Sequence, residues 1–246
     1  MSDGVPRLRM FAGPNGSGKT TVKNSLGRPE AWFGLYINPD ELEAAIRQTG
    51  RLPVEPLGLA VSAEAVRAYF AESAFLAKAG LSDAAVIRLS DGSLDFRGMN
   101  FNSYHASVLS DFLRRRALEA GVSFSFETVM SAEDKVELLQ EAQSRGYRTY
   151  LYYVATENPA VNIQRVKTRV AAGGHDVPED KIVSRYHRSL ALLGRAISHT
   201  NRAFLFDTSG EEAWYFAEVT DGDRIDLQSD EIPLWFQPIW DSIPEM

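Results

Sequence analysis

The chain has 246 residues, a formal net charge of −7, and 44% hydrophobic and 24% charged residues, enough apolar material to bury a sizeable core in one domain or one domain with a large insertion. The negative balance argues against a nucleic-acid partner, whose phosphates ask for a surplus of Lys and Arg. There is no cysteine, which excludes disulfides, thiolate metal sites and cysteine nucleophiles and suits a reducing cytoplasm.

In chain order, residues 1–9 are too short and polar for a secretory signal, and no apolar run approaches the roughly 20 residues of a membrane span, so a soluble, cytoplasmic protein without a membrane partner is expected. Residues 8–12 form a short apolar strand that breaks into a glycine-rich turn. Residues 35–37 are a second strand, stopped by Asn38-Pro39. Residues 44–121 depart from the pattern. They hold a predicted helix over 62–79, a turn-rich piece at Asp91-Gly92 and Arg97-Gly98, and a helix over 107–120. This stretch is either an enlarged helical crossover or a cap on the substrate side. Residues 122–126 alternate Val122, Phe124 and Phe126 against serines as a third strand.

A helix follows, with Ser131 as its cap and Gly146 as its stop. Residues 148–155 are a nearly continuous apolar strand of the kind buried on both faces of a parallel sheet. Asn158-Pro159 opens the next helix, Gly173-Gly174 ends it, and another runs from Pro178 to about Ser198. Residues 203–206 are the fifth strand. Residues 214–219 and 224–227 flank Asp221-Gly222-Asp223 as a β-hairpin that extends or covers a sheet edge. The expectation is a single α/β domain over residues 1–246, with a mostly parallel five-stranded sheet, flanking helices, an insertion at 44–121 and a hairpin extension at 211–246.

Gly13-Pro14-Asn15-Gly16-Ser17-Gly18-Lys19-Thr20 satisfies the phosphate-loop pattern between a strand and a helix. Glycines let the backbone turn its N–H groups inward around phosphates, and the helix N-terminus adds a favourable dipole. Lys19 can reach the β- and γ-phosphates of ATP or GTP, the Thr20 hydroxyl can ligate Mg²⁺, and Thr21 completes the cradle. Asp40, after the second strand, is either a base accepting a hydroxyl proton or a dipole-stabilising residue behind an Asn38 cap. Glu127, with Thr128 after the third strand, is either a Mg²⁺ or substrate-hydroxyl residue or a solvated loop residue. Asp207 competes for the metal but reads better as a cap with Thr208-Ser209-Gly210. Arg165 and Arg169 share one helix face, either neutralising a transferring phosphoryl group or forming a solvated basic face. Arg114-Arg115-Arg116 reads as such a solvated face, and His105, His175, His187 and His199 show no metal-ligand spacing.

The order GPNGSGKTT, INPDEL, SFETVMS and RVKTRVAAGGHDVPEDKIVSRYHRSL resembles the zeta-toxin-like P-loop kinases over about two-thirds of the chain. The resemblance implies a nucleoside-kinase-like core with strand order 2-3-1-4-5 that phosphorylates a small-molecule hydroxyl. In the best-known members the acceptor is a UDP-amino sugar such as UDP-N-acetylglucosamine, and an antitoxin protein is the partner. It also implies that Asp40 is the catalytic base, that Glu127 lies beside substrate and Mg²⁺, and that Arg165 is the first lid arginine. Where the family has a second lid arginine this chain carries Gly174-His175, leaving Arg169 or His175 in that role. Residues 44–121, where the toxins read their sugar nucleotide, are longer and do not match. A nucleotide-dependent switch or ATPase module, binding a protein partner through that insertion, is the alternative.

Overall fold

The structure is a computed structural model that describes residues 4–81, 83–174 and 176–241. Contacts divide the chain into two compact units, one formed by the residues up to Phe33 together with those from Ser125 onward, the other by Gly34–Phe124. The second unit therefore takes in more than the predicted insertion, including the second strand and Asp40.

The elements run β1 (Arg7–Ala12), α1 (Lys19–Ser25), α2 (Glu30–Phe33), β2 (Leu35–Ile37), α3 (Pro39–Thr49), β3 (Arg51–Pro53), α4 (Ala63–Ala71), α5 (Ala74–Lys78), β4 (Arg88–Ser90), β5 (Ser93–Asp95) and α6 (Ser103–Glu119). The chain continues with β6 (Phe124–Thr128), α7 (Asp134–Ser144), β7 (Arg148–Ala155), α8 (Pro159–Ala171), α9 (Glu179–Ser198), β8 (Arg202–Asp207), β9 (Trp214–Thr220), β10 (Arg224–Leu227) and α10 (Gln237–Trp240).

In the first unit the strands stand in the order β10-β9-β8-β7-β1-β6. The predicted neighbours 3-1-4-5 appear as β6-β1-β7-β8. β1 pairs parallel with β7 in the register Leu8 to Thr149 and Met10 to Leu151, and β7 pairs parallel with β8. The hairpin extends the sheet. β9 runs antiparallel to β8, with a shift between Leu205 and Phe206, and β10 runs antiparallel to β9. β7 is buried at Leu151, Tyr152, Tyr153, Val154 and Ala155 alike, which is why its sequence does not alternate. On one face the Tyr153 hydroxyl meets Ser189 Oγ of α9 at 3.0 Å. On the other, Phe11 stacks on Tyr152 at 4.7 Å and Tyr152 on Phe204 at 4.8 Å.

The second unit is less helical than its sequence suggests. β5 pairs antiparallel with both β3 and β4, and Asp91 and Gly92 join β4 to β5 with φ of 50° and 69°, the two left-handed residues of a tight hairpin. The predicted helix over 62–79 is two helices, because Ser73 leaves helical geometry to cap α5 and accepts the Leu76 N–H at 3.3 Å. α6 starts earlier than predicted, where the Asn102 side chain accepts from Tyr104 and His105 and His105 Nδ1 accepts the Asn102 N–H at 3.3 Å. Nor is the arginine run a uniformly solvated face. Arg114 is buried beside Asp111 at 3.3 Å, Arg115 bonds the same carboxylate from outside, and only Arg116 turns to Glu119. Ala68, Ala71, Ala77, Ala84 and Ala85 leave an apolar cleft of about 480 Å³ between α4 and α5, with Arg67 and Asp83 at its wall.

Candidate phosphate-loop site

Residues 13–18 connect β1 to α1, whose first two residues are Lys19 and Thr20, and the glycine positions are dictated by geometry. Gly13, Gly16 and Gly18 have φ of 142°, 76° and 83°. A Cβ on Gly13 would lie 2.0 Å from the Val154 carbonyl oxygen, and one on Gly16 would lie 2.6 Å from that of Asn162. The loop is thus pressed against β7 and α8 with no room for side chains. Lys19 arches over it, its Nζ donating to the carbonyls of Gly13 at 2.8 Å and Pro14 at 2.9 Å. Gly18 is the N-cap of α1, so the helix N-terminus opens at the loop. Among the described residues, Ser17 Oγ is buried with no hydrogen-bond partner.

β6 delivers the second group. Its last residues place Glu127 beside α1, where Thr20 Oγ1 donates to Glu127 Oε2 at 2.8 Å and Lys23 Nζ stands 4.0 Å from Oε1. Hydroxyl and carboxylate, predicted from positions 107 residues apart, are together. Thr128 has a different use. Its carbonyl accepts the Gly13 N–H at 3.2 Å, and its hydroxyl accepts the Met130 N–H at 3.1 Å, so it fixes the loop's entry. Thr21 is exposed at the next position of α1.

Three further side chains grip the loop, and none was expected from the sequence. Asn162 of α8 is fully buried and donates from Nδ2 to the Asn15 carbonyl at 2.6 Å. Arg185 of α9 donates to Asn15 Oδ1 at 3.3 Å. Thr208, just after β8, donates its hydroxyl to the Ser17 carbonyl at 2.7 Å. Arg185 sits within the run RYHRSL, yet no spacing singled it out. Arg165 is held beside Thr208, its Nη2 donating to the carbonyls of Thr208 at 2.5 Å and Gly210 at 3.2 Å. Arg169 is exposed on the last turn of α8, packed where a Cβ on Gly174 would meet its Cγ at 2.7 Å. His175 lies outside the described residues. Asp207 is a turn residue, accepting from the Ser209 N–H at 2.8 Å and the Trp235 indole at 2.7 Å. Burial first, then the charges of Asp207 and Glu157, push the Tyr186 phenol up to about 12, so it stays a neutral donor to the Thr156 carbonyl at 2.7 Å.

In the second unit Asn38 caps α3 by accepting the Asp40 N–H at 2.9 Å, with Pro39 at the first helical position. The Asp40 side chain is exposed in the first turn of that helix. Among the described residues no three His, Asp or Glu side chains converge as a metal cage, and no helix is long and apolar enough to cross a membrane.

A glycine loop pinned between β1 and α1 at the carboxyl ends of parallel strands defines a P-loop fold of the nucleoside-kinase type. The profile of the zeta toxin family matches residues 100–235. The chain belongs to that family. An uncharacterized protein of Haemophilus influenzae is 29% identical over 70 residues, which is 28% of this chain and 50% of that protein. Among solved structures, the AvrRxo1-ORF1:-ORF2 complex with ATP contains a chain that superposes with a TM-score of 0.53 at 17% identity, over 98% of this chain and 64% of that one. A chain of the PezAT toxin-antitoxin system of Streptococcus pneumoniae gives 0.50 at 12% identity, over 99% and 80%. The chain spans half of the Haemophilus protein and less than two-thirds of the AvrRxo1 chain.

Proposed function

We propose that the chain is a phosphotransferase that moves the γ-phosphoryl group of ATP or GTP to a hydroxyl of a small molecule. The observation that carries this reading is the Thr20–Glu127 pair beside the glycine loop, with Lys19 at its mouth. Mg²⁺ is held in proteins by one or two oxygen ligands plus the nucleotide's phosphates rather than by a full protein cage, and Thr20 Oγ1 and Glu127 fit that demand. When bound, the ion would neutralise charge on the phosphates. Lys19 and the loop amides orient the phosphates, the α1 N-terminus favours their charge, and Arg165 and Arg185 supply guanidinium groups at the loop's flank. Arg185 thereby joins Arg169 as a candidate for the second lid arginine. Asp40 is the base by its match to the family position, taking the proton from the acceptor hydroxyl. A UDP-amino sugar is the acceptor that family membership favours, and an antitoxin is the protein partner it favours.

The test is a metabolite extract incubated with γ-labelled ATP and the purified chain. A labelled small molecule should accumulate, vanish with Lys19→Ala, and vanish with Asp40→Ala while nucleotide affinity stays within about twofold. Undiminished transfer by Asp40→Ala removes that residue from the mechanism. Hydrolysis that no metabolite stimulates but a protein partner does would favour the switch reading instead.

A further inference from the structure

The segment after β10 folds back within the first unit and buries Trp235, 7% exposed, against Phe216 and Tyr153 at ring distances of 5.5 and 5.9 Å. The packing alone would make this a core anchor. The indole N–H, however, donates to Asp207 Oδ2 at 2.7 Å, a carboxylate that is itself 7% exposed. The same carboxylate takes the Ser209 N–H on Oδ1 at 2.8 Å and the Ser209 hydroxyl on Oδ2 at 3.0 Å. Three donors therefore bend the chain back on itself directly after β8. Ser209 Oγ in turn accepts the Glu157 N–H at 2.7 Å, tying the turn to the end of β7.

What this turn carries is the phosphate loop's support. Thr208, between Asp207 and Ser209, is the residue whose hydroxyl reaches the Ser17 carbonyl at 2.7 Å, and its own carbonyl holds Arg165 at 2.5 Å. Thr208 Cγ2 is also the nearest atom to the Cβ position of Gly18, at 3.8 Å. A buried carboxylate that loses one of three donors is left with an unsatisfied acceptor, and the turn relaxes toward water to recover the missing bond. That movement draws Thr208 away from Ser17.

We propose that Trp235 is a positioning residue for nucleotide binding: its N–H, through Asp207, holds the 207–210 turn where Thr208 braces the glycine loop and Arg165 is fixed at the loop's side. The proposal rests on the reading of residues 13–20 as the nucleotide site. Residues 207–210 thus couple a C-terminal segment, 28 positions from Asp207 to Trp235, to the loop at the opposite end of the sequence.

The experiment uses the full chain and calorimetric titration with Mg²⁺-ATP. Trp235→Phe keeps the aromatic packing and removes only the donor. Its ATP dissociation constant is expected to rise about tenfold, equivalent to about 1.4 kcal/mol, while the melting temperature without nucleotide falls by only a few degrees. Thr208→Val removes the brace directly. Because both act through one contact, adding Trp235→Phe to Thr208→Val should cost less than about twofold further. Additive losses, or an unchanged dissociation constant in Trp235→Phe, overturn the proposal and leave Trp235 a core residue. If Trp235→Phe does not fold, Asp207→Asn enters the same cycle with the same two outcomes. Wild-type chain that binds no ATP overturns the nucleotide-site reading and the proposal together, a result distinct from a wild type that binds and a variant that binds equally.

Discussion

Alanine at Gly16 and alanine at Gly18 should separate two costs that the glycine pattern conflates. Both residues have left-handed φ, 76° and 83°, so each substitution carries the strain of placing a Cβ there, roughly 1–2 kcal/mol. At Gly18 the space is open, with nothing nearer than Thr208 Cγ2 at 3.8 Å, and strain is the whole cost. At Gly16 the new Cβ meets Asn162 O at 2.6 Å and Asn162 Cα at 3.1 Å, backbone atoms that no rotamer change moves. α8 must retreat by several tenths of an ångström, which stretches the 2.6 Å bond from Asn162 Nδ2 to the Asn15 carbonyl and leaves a fully buried amide poorly satisfied. A buried group that loses its partner costs about 1–3 kcal/mol. The sum for Gly16→Ala is about 2–5 kcal/mol, against about 1–2 for Gly18→Ala. In a chain of this size each kcal/mol moves the melting temperature by about 2–4 °C, so calorimetric scans should show about a 2–8 °C loss at Gly18 and clearly more at Gly16. Equal losses would refute the steric argument and imply that α8 yields freely to the loop.

Alkaline pH should unfold the protein in a defined window. Burial pushes the phenols of Tyr147, Tyr152 and Tyr186 up to about 12 and raises that of the fully buried Tyr153 as well. The stability from keeping them neutral is complete below about pH 10, the unfolded value, and is lost as pH climbs toward 12. Phenolate absorbance of this group should rise together with loss of near-ultraviolet dichroism; absorbance rising well before the dichroism changes would mean these rings titrate in the folded state. In the second unit, Gly92→Val puts a β-branched residue at φ of 69° in the β4–β5 turn and should cost about 1–2 kcal/mol locally. Hydrogen exchange at Leu94 should then accelerate roughly 5- to 30-fold, and unchanged protection there would show that the hairpin tolerates the strain.

How much of this was legible in the sequence depended on whether the cause was local. The phosphate loop announced itself because Gly13 and Gly16 stand where a Cβ would strike neighbouring backbone, leaving the sequence no alternative. β7 was visible because both its faces are buried, and the β9–β10 hairpin because Asp221 and Gly222 sit at φ of 52° and 87° between the apolar run of β9 and the alternating Arg-Ile-Asp-Leu of β10. The three-stranded sheet was not visible. Arg-Leu-Ser and Ser-Leu-Asp each contain one apolar residue, too few to show a period of two, although Asp91-Gly92 between them carried the turn signal. Arg114 was misread because burial of one arginine in a run of three is decided by Asp111 one turn away and by what α6 packs against. At the candidate site, Thr20 and Glu127, which the structure brings within hydrogen-bond distance, could be singled out because each lies near the end of a recognisable element. Asn162, Arg185 and Thr208 reach the loop across 147, 170 and 191 residues, and nothing in their neighbourhoods records that distance.

The hairpin that lengthens the sheet also ends it. A terminal strand offers a row of unpaired N–H and C=O groups to any strand that drifts past, and long, flat, apolar edges of this kind seed aggregation. β10 has four residues, and Arg224 and Asp226 on it are both exposed. It is too short and too charged to serve as a template. The segment that terminates the sheet therefore offers a passing strand little to pair with, a property of the sheet's rim set by length and charge alone.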